Sequence, residues 1–334
     1  MLKAPFPYFG GKRTVADVVW QALGNPGHYI EPFFGSGAVL LLRPDYSQDM
    51  TETVCDKDGY VCNVWRAIRE NPEEVARWCD WPVNHADLCA RRKKLLMRGP
   101  DMLEKLIADD EWYDAKMAGY WAWAASCWIG SGLTRPNAIP HISDAGKGAH
   151  SQIPHVSDAG KGVHAQIPHV SDAGKGGGAC GSVHEWLVSL SQRLRRVRVV
   201  CGDWSRVCGG NWQDRMGVCG IFFDPPYGVS DRYRGVYDND SVDVAHVAAQ
   251  WALDRGGNEK YRIVFAGYDE HEKLLEAGWT SMQWKTCGGY GNTAWKAGGQ
   301  GKENRHRETL YFSPHCIRKD SGSGQTKLFE GVTC

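Results

Sequence analysis

Short apolar runs alternate with glycine- and acid-bearing turns in two stretches of the chain, 1–64 and 183–315. HYIEPF (28–33), TVCD (53–56), RVVCGD (198–203), GIFFDPPY (220–227), YRIVFAG (261–267) and ETLYFS (308–313) have the length and the β-branched or aromatic content of strands. Several end in Asp or Glu near Gly or Pro. That pattern predicts a parallel sheet with a ligand at the strand carboxyl ends. Residues 65–138 read instead as helical. Tyr113, Met117, Tyr120, Trp121, Ala124 and Trp128 fall on one face at a spacing near 3.6 residues, a stripe that predicts core ahead of a stacking platform.

The segment 139–178 breaks both patterns. IPHISDAGKGAHSQ (139–152) is followed by IPHVSDAGKGVHAQ (153–166) and the shorter IPHVSDAGKGGG (167–178). The repeat has no Leu, Phe, Tyr or Trp, so it predicts a polar loop array rather than core. Two other readings stay open. His141, His155 and His169, with His150 and His164, suit a metal, and the AGKG units with Lys147, Lys161 and Lys175 suit nucleic-acid phosphates. A Walker A loop is excluded, because no Ser or Thr follows the lysine. The tail from 316 to 334 is polar and reads as flexible.

Composition narrows the class. Lys plus Arg and Asp plus Glu number 39 each, so attraction to a polyanion must come from local patches. The candidates are Arg91-Arg92-Lys93-Lys94, the group Arg193, Arg195, Arg196 and Arg198, and Lys302 to Arg307. No apolar run reaches the ~18 residues of a membrane span. The N-terminal MLKAPFPYFGGKR lacks an apolar signal segment, so a cytoplasmic protein is expected. The 12 cysteines are scattered, with no metal-ligand spacing, so reduced thiols and no metal site are expected.

Five motifs carry candidate chemistry. Asp224-Pro225-Pro226-Tyr227 follows the apolar run Ile221-Phe222-Phe223. The prolines fix the turn, Asp224 and the Pro225 carbonyl offer two acceptors to one amino group, and the Tyr227 ring offers a stacking surface. A plain strand-ending turn is the alternative. Glu31-Pro32-Phe33-Phe34-Gly35-Ser36-Gly37 forms a glycine-rich turn. It lets a ligand approach the backbone, and a helix from Ala38 would offer free N–H groups. Tyr8-Phe9-Gly10-Gly11-Lys12 combines a ring, a flexible turn and a cation. Asp56 ends the next strand about 20 residues on, where an acid meets a ribose hydroxyl. Asp203, in Gly202-Asp203-Trp204, ends another strand and suits an adenine amine.

In their order along the chain, from Tyr8-Lys12 through the glycine-rich turn and Asp56 to Asp224-Tyr227, the motifs resemble the Dam-like, D12 class of N6-adenine-specific DNA methyltransferases. The resemblance covers the flanking stretches, and the repeat departs from it. It implies an α/β fold, with a seven-stranded, mostly parallel S-adenosylmethionine-dependent methyltransferase sheet. The catalytic domain would be 1–64 with 183–315, and 65–138 an inserted helical target-recognition region. It implies Asp224, Pro225, Pro226 and Tyr227 as the catalytic tetrad. Tyr8, Lys12, Glu31, Pro32, Phe33, Gly35, Gly37, Asp56 and Asp203 would bind S-adenosylmethionine. DNA is the implied partner, in a bacterial or phage-infected cell, in DNA methylation or restriction–modification. Rival readings are methylation of cytosine N4 or of adenine in RNA, and an idle DNA-binding protein of the same fold. Cytosine C5 chemistry would need a thiol that the tetrad lacks. In the tail, Gln325-Thr326-Lys327-Leu328-Phe329 resembles the peptide by which bacterial replication proteins dock on the sliding clamp.

Overall fold

A computed structural model describes residues 2–8, 12–47, 49–128, 133–134, 182–210, 213–226, 242–268, 271–284 and 308–317. A 3-10 turn, Lys12–Val15, leads into α1 (Ala16–Leu23), β1 (His28–Glu31), α2 (Ala38–Leu41) and β2 (Thr51–Asp56). Among the described residues, six helices separate β2 from the next strand. They are α3 (Gly59–Glu70), α4 (Pro72–Cys79), α5 (His85–Arg98), α6 (Met102–Ala108), α7 (Ala115–Cys127) and α8 (Val183–Leu194). The chain continues through β3 (Val197–Cys201), α9 (Ser205–Cys208), β4 (Cys219–Phe223), α10 (Val242–Gly256) and β5 (Tyr261–Gly267). It closes with α11 (Glu272–Glu276), β6 (Thr280–Gln283) and β7 (Thr309–Phe312).

The strands form one seven-stranded sheet in the order β3-β2-β1-β4-β5-β7-β6. The pairs β3/β2, β2/β1, β1/β4 and β4/β5 are parallel, whereas β7 runs antiparallel to both β5 and β6. The expected mostly parallel sheet is therefore a mixed one. The cause is connectivity: helices return the chain between the parallel strands, while β6 and β7 follow one another and pair directly. Chain order reverses between β1 and β4, and α/β sheets bind ligands at the carboxyl ends of strands at such a switch point.

Alternation of side chains builds a core on each face. Tyr29, Val54, Phe222, Val264 and Leu310 point to the face covered by α1–α8. Their neighbours Ile30, Cys55, Phe223, Phe265 and Tyr311 point to the face covered by α9–α11. Burial on both faces explains why these strands read as continuous apolar runs. Helices α3–α7 join the first of these clusters, and α3 spans position 64/65, where the sequence predicted a boundary.

Among the 15 tryptophans, Trp65, Trp123 and Trp186 are fully buried. Three buried indoles donate to backbone carbonyls: Trp20 to Val39 at 2.8 Å, Trp65 to Gly35 at 2.9 Å and Trp123 to Trp81 at 2.8 Å. The stripe on α7 is core, and the helix is buried almost all round.

Two of the basic patches are partly structural. Arg91 is buried, with its guanidinium 4.4 Å from the Tyr120 and Trp123 rings and donating to the Trp78 carbonyl at 2.8 Å. Arg193 donates twice to Glu52, at 2.6 and 2.7 Å, and the buried Arg43 pairs with the same carboxylate at 3.1 Å. The repeat, Lys302 to Arg307 and the tail motif 325–329 lie outside the described residues.

Candidate active site

The carboxyl ends of β1, β2, β3 and β4 gather the sequence-predicted residues along one edge. After β1, Glu31 and Pro32 are buried, Phe33 is half-buried, and the chain turns through Gly35 and Gly37 at φ of 48° and 64°. A Cβ on Gly35 would come within 2.7 Å of the Tyr8 ring, so the N-terminal element packs directly on this turn. Trp65 anchors the same turn from α3. The helix expected after it has four residues, so its N–H groups and dipole add little to ligand binding.

Asp56 ties this turn to β2. Its Oδ2 accepts the Gly35 N–H at 2.7 Å and its Oδ1 accepts the Asp58 N–H at 2.9 Å. Burial pushes its carboxyl above the ordinary range, and the backbone donors pull the other way. The Asp56 carbonyl accepts the Gly202 N–H at 2.8 Å, which brings β3's end alongside. Asp203 beyond it is exposed, its Oδ1 accepting from the Ser205 N–H at 3.0 Å and hydroxyl at 2.6 Å. Phe33 stands 6.1 Å from Trp204 and 6.3 Å from Phe223, measured between ring centroids.

At the end of β4, Lys12 Nζ meets Asp224 Oδ1 at 2.9 Å, the lysine 3% exposed and the aspartate 22%. Sequence reasoning had placed Lys12 with the cofactor residues; the fold brings it to the acid of the Asp-Pro-Pro turn. Pro225 is buried and Pro226 half-buried, while Tyr227 and Phe9 to Gly11 lie outside the described residues. Burial pushes the Glu31 carboxyl well above the ordinary range and the nearby Asp224 adds to this. The Tyr29 hydroxyl, donating to Glu31 at 2.9 Å, opposes it.

Two residues at this edge escaped the sequence reading. Lys12 Nζ lies 5.9 Å from the centroid of Trp284, just past β6. The Trp284 N–H donates to the carbonyl of Glu308, just before β7, at 3.0 Å. Glu308 was visible only as the first residue of a strand. Its place beside the other acids depends on β7 running antiparallel, which periodicity does not reveal.

The edge thus offers acids in series, aromatic rings between them and a buried lysine. The mixed α/β fold and seven-stranded sheet are consistent with a methyltransferase fold. Residues 8–86 match the family model of the D12 class N6 adenine-specific DNA methyltransferases, a family of enzymes. The match takes in Tyr8, Lys12, the glycine turn and Asp56, and ends before Asp224. No curated protein matches the chain. Among the described residues, no helix is long and apolar enough to cross a membrane.

Proposed function

We propose that the protein transfers a methyl group from S-adenosylmethionine to the N6 amine of adenine in DNA. The observation that carries this reading is the Lys12–Asp224 ion pair at the switch point between β1 and β4. It joins the family-matched N-terminal stretch to the Asp-Pro-Pro turn, which lies outside that match. The residues suit the donor: exposed Asp203 as acceptor for its adenine amine, Phe33 as a flanking ring, and Asp56 at the level of its ribose. When bound, S-adenosylmethionine supplies an electrophilic methyl group on a sulfonium.

The protein's own groups then act on the target amine. That amine is a poor nucleophile because its lone pair is delocalised into the ring. Asp224 and the Pro225 carbonyl accept its two hydrogens and favour a pyramidal nitrogen. Lys12 fixes the Asp224 carboxylate, so the acceptor is preorganised, and holding the reactants in line supplies further acceleration. The target base leaves the duplex, at a cost of a few kcal/mol, to stack on Tyr227. We assign target recognition to the helical region 65–138.

The test is methylation of defined DNA and RNA oligonucleotides with labelled donor, followed by identification of the modified base. N6-methyladenine in DNA is the expected product. N4-methylcytosine, or a product in RNA alone, overturns the reading. Asp224→Asn is expected to lower turnover by about 100-fold or more while donor affinity persists.

A further inference from the structure

Glu308 is a half-buried acid, its Oε2 enclosed, that the mechanism so far leaves unused. It stands at the start of β7, whose Thr309 lies opposite Gly267, the last residue of β5. The antiparallel direction of β7 therefore sets Glu308 at the edge where β4 delivers Asp224. Its Oε2 and the Trp284 Nε1 are buried with no hydrogen-bond partner among the described residues. Buried polar atoms are nearly always partnered, and a carboxylate oxygen left without a donor is costly. An acid retained in such a place calls for a function.

Among the described residues, the charged groups acting on Glu308 are Lys12, from the N-terminal 3-10 turn, and Asp224, from the end of β4. Glu31, on β1, acts on Asp224 in turn. Burial pushes the Glu308 carboxyl up to about 6; Lys12 opposes the shift and Asp224 adds to it. Burial raises the Glu31 carboxyl, and Lys12 and Asp224 pair with each other. Among the described residues, ionisation of Glu308 therefore adds one negative charge beside that pair.

We propose that Glu308 is a positioning residue for methyl transfer, acting through Lys12 and Asp224 by adding a negative charge beside that pair. This inference rests on the methyl-transfer reading above. As the N–C bond forms and the S–C bond breaks, its electron pair staying on sulfur, one positive charge passes to the amine, which then releases a proton to solvent. A carboxylate at the site favours that arrival. Trp284 orders the group: its backbone N–H holds Glu308 and its ring packs near Lys12.

The experiment is single-turnover methylation of an adenine-containing duplex from pH 5 to 8 by the full chain, its Glu308→Gln variant and its Glu308→Asp variant. Equilibrium binding of labelled donor and circular dichroism accompany it. The wild-type rate is expected to fall as pH drops through about 6. Glu308→Gln is expected to lose that acid limb and about tenfold or more in rate, with donor affinity kept. Glu308→Asp is expected to keep the limb and recover part of the rate, and it serves as the test should the Gln variant fail to fold. A Gln variant that retains the limb and the wild-type rate overturns this inference alone. So does a rate loss matched by an equal loss of donor affinity, or an Asp variant without the limb. Wild-type protein that methylates no DNA overturns the methyl-transfer reading, and this inference with it.

Discussion

Asp224 and Lys12 form a pair whose members differ in what they leave behind. Removing Asp224 leaves a buried ammonium near Glu308; removing Lys12 leaves two acids without their common cation. Lys12→Met is therefore expected to cost about 1–3 kcal/mol of stability, less than a fully buried pair because Asp224 is partly exposed. Urea unfolding measures it. In a cycle with Asp224→Asn, the two rate losses should be far from additive, because each substitution disables the same acceptor. Additive losses would mean that the two residues act separately. Glu308 carries an opposite stability expectation. Its folded-state pKa lies above the ordinary 4.5, so the protein loses stability as pH rises from 4.5 through about 6, and the penalty is complete above that. Glu308→Gln removes the penalty and should raise stability at pH 7.5 by about 1–2 kcal/mol, with no gain at pH 4. Thermal unfolding at the two pH values reads the difference, and an equal effect at both would count against the assignment.

The elements differ in how legibly their roles were written. The turn after β1 was readable because its glycines answer to local geometry: both adopt positive φ, and a Cβ on Gly35 would strike Tyr8. Gly35→Ala is accordingly expected to cost about 1–3 kcal/mol and to weaken donor binding, with part of the loss relieved by Tyr8→Ala. Isothermal titration of the single and double variants checks this, and strict additivity would show that the ring does not press on the turn. Asp224 was readable because an apolar strand delivers it to a proline turn. Glu308 and Trp284 were not, because their meaning comes from the antiparallel pairing of β7 with β5 and β6. Local sequence does not encode strand direction. The helix expected from Ala38 forms there and ends at Leu41.

For the whole molecule, the balance of 39 basic and 39 acidic residues makes DNA affinity a matter of where the basic residues stand. Sequence alone weighted Arg91 to Lys94 and Arg193 to Arg198 equally, because a charge run does not reveal which members fold inward. Arg91 lies under aromatic rings and Arg193 is clamped to Glu52, so both serve the core. Arg195 and Arg196 are exposed, but they precede β3, at the edge of the sheet opposite the strand carboxyl ends. A strand of this length separates them from that edge by about 15 Å or more. Lys93 and Lys94 are exposed on α5, within the region assigned to target recognition. Each phosphate contact contributes close to one unit to the slope of log affinity against log salt. Lys93→Gln with Lys94→Gln is therefore expected to lower the slope by about 2. Arg195→Gln with Arg196→Gln should leave it unchanged, and Arg91→Gln should reduce stability rather than the slope. Fluorescence anisotropy of a labelled duplex over a salt series separates these outcomes. A slope that falls with the Arg195 and Arg196 pair but not with the Lys93 and Lys94 pair would place the DNA at the opposite edge of the sheet from Asp224.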